Sequence, residues 1–429
     1  MLANVLSRST FDNALAPLGE RVASVASRVR GSSEITIVKN YAGRHTKLLL
    51  ALATLVLWTL PAGAQRDVGY DNVAVPQNRI DARDLGYAPL DVIPDGESAI
   101  TSLAVAPNGI LYGATSGRRS HLFVFNPRHG YVQPLGVLPA TTAVTHAVVV
   151  SAEGDVYIGS SPAGHLLEYT PPTDQDHLPI NIGRPCRVAD LGQAVPGESI
   201  FALTVDRKSE MIYGLTSPSA HEFAYSIPQH SFRDLGVVAR HRPEGEKFET
   251  AKMMSRMLVV DDSGNLYSSG ERGMLYELDK ATQKLSPVGV SAPAIPGREG
   301  WTRVDAFLLA RSGMIFGATS DGYLFRFDPK TRTMRNLGKP LIQYGIAGLV
   351  EAPSGKIYGI GGPKEGMARM FSYDPATGAY QVLGFVDVNR RPYYTWQAYV
   401  VRAMTSGLDG TVYIGESERM SKLYLFYPL

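Results

Sequence analysis

Residues 311–338 read RSGMIFGATSDGYLFRFDPKTRTMRNLG. A Gly-bearing turn leads into an apolar strand marked by Phe316, and a short loop precedes an alternating strand, LFRF, ending at Asp328-Pro329. A final strand closes on Leu337-Gly338. Glycine permits positive φ and proline presets φ, so the Gly and Asp-Pro positions read as turns. The alternation between them reads as strand. The same pattern recurs on both sides. Its second elements are ILYGAT, DVYIGS, MIYGLT, NLYSSG, MIFGAT, KIYGIG and TVYIGE, with aromatic markers Tyr112, Tyr157, Tyr213, Tyr267, Phe316, Tyr358 and Tyr413.

A period of about 50 residues with strand–turn–strand content is the signature of propeller blades. Leu-Gly or a variant follows the third strand six times, at Gly136, Gly192, Gly236, Gly289, Gly338 and Gly384. The seventh repeat reaches Leu429 directly after its third strand, but Ala82-Arg83-Asp84-Leu85-Gly86 matches Phe232-Arg233-Asp234-Leu235-Gly236. An N-terminal strand is therefore expected to complete the last blade, which removes a long unpaired edge. The expected fold is all-β: a seven-bladed β-propeller of four-stranded antiparallel blades over residues 82–429, after a linker at 65–81.

Residues 1–64 read as an extension and leader. Arg44, His45 and Lys47 precede an apolar run from Leu48 to Leu60, followed by Pro61-Ala62-Gly63-Ala64. Basic region, short apolar stretch and small-residue cleavage site make a secretory signal ending near Ala64. The run falls short of the roughly 20 residues a spanning helix needs, so no stable membrane anchor is expected. Gln65 offers no lipid attachment point, and residues 1–43 carry no structural expectation. A secreted or periplasmic protein follows. The net charge of +2 gives no global case for nucleic acid. With Cys186 as the one cysteine, a disulfide framework and a Cys-based metal site are excluded.

In a four-stranded blade, second-to-third loops and blade-to-blade crossings share one rim. That rim carries the long segments: 239–255 with Arg240, His241 and Arg242; 291–304 with Arg298, Trp301 and Arg303; and 387–400 with Arg390, Arg391, Tyr393, Tyr394, Trp396 and Tyr399. Long loops on a rigid scaffold are where binding and catalysis concentrate. Counting back from each aromatic marker to the start of the innermost strand gives Thr101, His146, Phe201, Arg256, Asp305, Ala347 and Arg402. Charged groups heading otherwise apolar strands form either a ligand site or a solvated salt-bridge ring. His121, His165 and His221 share a repeat position at the head of the third strand, which favours a packing role. No HExxH, phosphate-binding glycine loop or GxSxG elbow occurs. Asp261-Asp262-Ser263-Gly264-Asn265 lacks the later Glu of a calcium loop and reads as a hairpin. No cofactor or metal is expected.

With blades of the form D-G-x-[LI]-Y-x-G … L-F-x-[FY]-D-P-x-T-G … L-G, the chain resembles bacterial secreted seven-bladed propellers. Among these are propeller-fold polysaccharide lyases of the rhamnose–glucuronate, ulvan and oligogalacturonate type. The resemblance covers fold and repeat style and carries no diagnostic active-site motif. It implies an anionic, uronic-acid-containing carbohydrate. A uronate lyase neutralises the carboxylate, removes the C5 proton and protonates the departing oxygen. Under that resemblance Arg256 and Arg402 would clamp the carboxylate, with Arg303 and Asp305 beside them. His146 would be the base, Tyr399 or Tyr394 the acid, and Trp301 and Trp396 would stack on sugar faces. The competing reading is a non-catalytic propeller binding a glycan or protein partner on the same rim. A third is a metal-dependent hydrolase or lactonase, for which the inner ring offers only His146 and Asp305.

Overall fold

Seven four-stranded antiparallel sheets follow one another around the ring. The computed structural model describes residues 73–85, 93–174, 181–238, 253–342, 345–362 and 367–429. The leader, Gly86, His177 and the basic run 240–247 lie outside the described residues. Blades one to six span 99–137, 148–193, 199–237, 259–291, 304–338 and 346–385. Blade seven combines Val401–Ser406, Val412–Glu416 and Lys422–Phe426 with Ile80–Asp84.

The repeat has a packing cause. All seven aromatic markers are buried between blades. In four blades the next residue is glycine: Gly113, Gly214, Gly317 and Gly359. Each lies under a third-strand ring, Phe123, Phe223, Phe325 or Phe371, and an added Cβ would stand 2.1–2.3 Å from that ring. Where the glycine is Ile158, the cross-strand partner shrinks to Leu167. In these blades the cross-strand pair is fitted by close packing. The Leu-Gly signature also has a mechanism. Gly136, Gly192, Gly236, Gly289, Gly338 and Gly384 all adopt positive φ, and the ladder of every such blade slips by a β-bulge near this point. Asp190, Asp234 and Asn336 brace it by accepting the amide of the glycine two residues on.

Ile80–Asp84 pairs antiparallel with Lys422–Phe426, setting Asp81 opposite Leu425 and Asp84 opposite Lys422. The match to Phe232–Gly236 would instead have set Arg83 opposite Leu425, because Arg233 faces the equivalent Ala224. The strand therefore sits two residues further along, a shift that keeps each side chain on the same face. Upstream, Val75 and Ala74 run beside Phe385 of blade six.

The third-strand histidines are anchors. His165 and His221 meet Asp190 and Asp234 of their own outer strands through Nδ1, at 2.8 and 3.0 Å. His121, fully buried, turns the other way and meets Glu97 through Nε2 at 2.8 Å.

Candidate functional site at the funnel mouth

The innermost strands share one irregularity. In blades one, three, five, six and seven the ladder to the second strand skips a single residue: Thr101, Phe201, Asp305, Ala347 and Arg402. These are the ring positions. A bulge leaves its extra residue unpaired and re-aims its side chain. In blades two and four the inner strand begins only at Val148 and Val259, leaving His146 and Arg256 just ahead of it. His146 takes a left-handed backbone, φ 48°, which is costly for a residue with a Cβ. Its peptide is held on both sides: the amide donates to Thr101 O and the carbonyl accepts from Leu203 N, each at 3.0 Å. Arg256 N donates to Val304 O of blade five.

The side chains converge as charges. Asp305 is buried and accepts a 2.6 Å hydrogen bond from Arg303 Nε, with Arg256 Nε 3.6 Å from the same oxygen. Burial, then the cations Arg256 and Arg402, pushes the His146 imidazolium down to about 3. At neutral pH His146 is thus an uncharged imidazole. Burial also lowers the pKa of Arg256, with Asp305 opposing and Arg303 and Arg402 adding to the effect. Two arginines therefore flank one carboxylate, and Arg402 adds positive charge at His146 and Arg256. Arg402 is exposed and makes no hydrogen bond or ion pair among the described residues. The arrangement can accept an anion and leaves a neutral nitrogen base beside it.

Trp301 lies on a short 3-10 turn, Glu299–Trp301, and is 54% exposed. Its crossing is pinned by Asp321, which the sequence did not single out. Asp321 is buried, accepts Thr302 Oγ1 at 3.0 Å and Ile295 N at 3.2 Å, and stands 3.6 Å from Arg298. Ser320 N donates to Arg303 O as well. In the sequence, Ser320-Asp321-Gly322 looks like any other turn.

The crossing 387–400 departs from the expected rim position. Asp387–Arg390 and Tyr394–Gln397 form a hairpin whose Arg390 donates to Ile80 O, at the end of the closing strand remote from Lys422. The hairpin thus lies along the outside of the ring. Tyr394 and Trp396 stack, centroids 4.0 Å apart, on the apolar cluster of blades six and seven, with Lys422 Nζ 5.4 Å from the Trp396 ring. The cause is alternation: Val388, Tyr394 and Trp396 bring apolar faces to Ile80, Tyr424 and Phe426. Their contacts are with blade seven and not with His146. Tyr399 is exposed three residues before Arg402, about 10 Å along an extended chain.

A concavity on the opposite rim is lined by Asn108, Asn126, Arg128, Leu408 and Asp409. Asn108, Asn126 and Asp409 each spend an oxygen on their own turn. Among the described residues, no three His, Cys, Asp or Glu side chains are grouped to hold a metal ion.

No protein-family model and no curated protein sequence matches the chain. Solved structures do. A streptogramin B lyase superposes with a TM-score of 0.59 at 10% identity, over 81% of this chain and 98% of its own. Virginiamycin B lyase from Staphylococcus aureus gives 0.57 at 8% identity, over 82% and 100%. An extracellular domain from B. thetaiotaomicron, described as that of a one component system, gives 0.54 at 11% identity, over 81% of this chain and 40% of that one. At such identities the likeness is one of fold. Among the described residues no helix is long and apolar enough to cross a membrane.

Proposed function

We propose that the funnel mouth of this exported propeller binds a carboxylate-bearing carbohydrate and cleaves it by β-elimination. One observation carries the reading: Arg303 and Arg256 flank a single buried carboxylate, Asp305, while Arg256 and Arg402 bring positive charge to a neutral His146. The uronate carboxylate takes the exposed Arg402 and the free side of Arg256. Neutralising those cations removes part of what holds His146 down, so the anion itself strengthens the base. His146 then accepts the C5 proton, the electron pair forms the C4–C5 double bond, and the C4–O bond breaks. The leaving oxygen takes a proton from Tyr399 or from water. A relative of the same fold, virginiamycin B lyase, is described as catalytically inactive once one of its histidines is replaced by alanine, which supports a histidine-centred elimination.

The test is a panel of uronic-acid polysaccharides, read as ultraviolet absorbance of the unsaturated product. His146→Asn is the informative variant, since asparagine tolerates the left-handed backbone. It should fold normally and lose activity by at least about 100-fold. A His146→Asn protein that cleaves at the parent rate overturns the assignment.

A second reading, non-catalytic recognition of the same glycan or of a protein partner, draws on the hairpin. Tyr394 and Trp396 are engaged with blade seven, leaving Tyr399 as the one expected acid near Arg402. Binding of the anionic glycan by the parent protein with no product formed would decide for this reading.

A further inference from the structure

The seven ring positions differ in character, and Thr101, Phe201 and Ala347 carry no charge. Phe201 is the extra residue of blade three, the only aromatic in the ring. On one side stands His146, whose carbonyl receives Leu203 N two residues along. On the other, Phe201 packs partly against the cluster holding Met254 and Leu258, which bracket Arg256 in blade four. It is half-buried, so part of its side chain stays open to solvent. Thr101 hydrogen-bonds its own neighbours, Ser116 Oγ and Val144 O, and Ala347 presents only a methyl.

We infer that Phe201 is the apolar wall of the site: it receives the C–H face of a pyranose whose carboxylate lies between Arg256 and Arg402, and so selects sugar acids over small anions. The inference rests on the anion-binding reading above and adds the shape of the ligand. Three arginines alone would accept acetate, sulfate or a uronate alike, because charge carries no information about a ring. An aromatic face beside the cations changes that. Carbohydrate C–H bonds are weakly polarised and lie well on a π surface, and the contact strengthens where water is excluded. The backbone adds rigidity. The bulge is closed by Ile200 opposite Thr216 and Ala202 opposite Leu215, so Phe201 is carried by a paired strand and not by a mobile loop. Against an axial-rich or acyclic acid the wall would meet hydroxyls in place of hydrogens, and contact would be lost.

The experiment compares two probes, glucuronate and acetate, by calorimetry on the parent protein and on Phe201→Leu, with Arg402→Ala as the charge control. Leucine keeps apolar packing against the cluster of blades three and four, so folding is preserved, and thermal unfolding verifies it. Phe201→Leu should weaken glucuronate by about tenfold and leave acetate unchanged, while Arg402→Ala weakens both. Equal loss for the two probes, or no loss for either, overturns the role of Phe201 and leaves the anion site standing. Failure of the parent protein to bind either probe overturns the anion-binding reading itself, and this inference with it.

Discussion

Arg303 and Asp305 form a 2.6 Å ion pair in which both side chains are about nine-tenths buried. Removing one partner of such a pair takes away the charge that compensates the other, and here Asp305 compensates both Arg303 and Arg256. Asp305→Asn should therefore destabilise the protein by about 3 kcal/mol in urea unfolding. Adding Arg303→Met should recover much of that loss. Additive losses in the double variant would mean that the two side chains are not coupled.

Glu222 stands where the other blades place Leu122, Leu166, Leu275, Leu324, Met370 and Leu423, and it is fully buried. Burial pushes its carboxyl up to about 7, and neither of its oxygens makes a hydrogen bond among the described residues. In the folded protein it holds its proton up to that pH, whereas unfolded it ionises near 4.5. The folded state thus binds more protons between those values, and stability falls as pH rises through that window, by up to about 1.4 kcal/mol per pH unit. Glu222→Leu should flatten this slope and stabilise most above pH 7. Parallel melting-temperature profiles for parent and variant from pH 4.5 to 8 would refute it.

His146 runs the opposite way. Its folded pKa is depressed, so its contribution to stability is complete above the ordinary histidine range and declines as pH falls from about 6.5 toward 3. Its imidazole signals should not move between pH 5 and 8 in proton–nitrogen spectra. Arg402→Ala should raise the pKa, since one of its two depressing cations is gone. An ordinary titration near pH 6.5 in the parent would show that the arginines do not converge on it.

Ring closure can be tested by deletion. Without residues 1–84, Tyr424 and Phe426 lose Ile80 and Ala82 as cover, and Lys422–Phe426 becomes a bare edge. Such edges associate, so gel filtration should show species larger than those of the parent protein. A stable monomer of parent-like melting temperature would contradict this.

The blades were legible because packing enforces their signature: a glycine at Gly113, Gly214, Gly317 or Gly359 is needed under each third-strand Phe, and the Leu-Gly bulge recurs with its positive φ. Register within the repeat brought Arg256, Asp305 and Arg402 into one ring for the same reason. Three features were not legible. The closing strand lies two residues from the register its motif implies, since motif identity does not fix pairing across separate segments. The run around Tyr394 and Trp396 reads as a long rim loop, and only the apolar cluster of blades six and seven, which it covers, turns it into a hairpin. Asp321 looked like a turn residue because its partners, Ile295, Arg298 and Thr302, come from a distant crossing.

The pairing of Ile80–Asp84 with Lys422–Phe426 also sets an order of events. Ile80–Asp84, the earliest strand among the described residues, gains its partner only once Lys422–Phe426 has been made. Until then blades can form one by one, each built from neighbouring sequence, while the ends stay apart. The slowest contact to form is therefore also the one that completes the circle, and the chain remains threadable up to that moment.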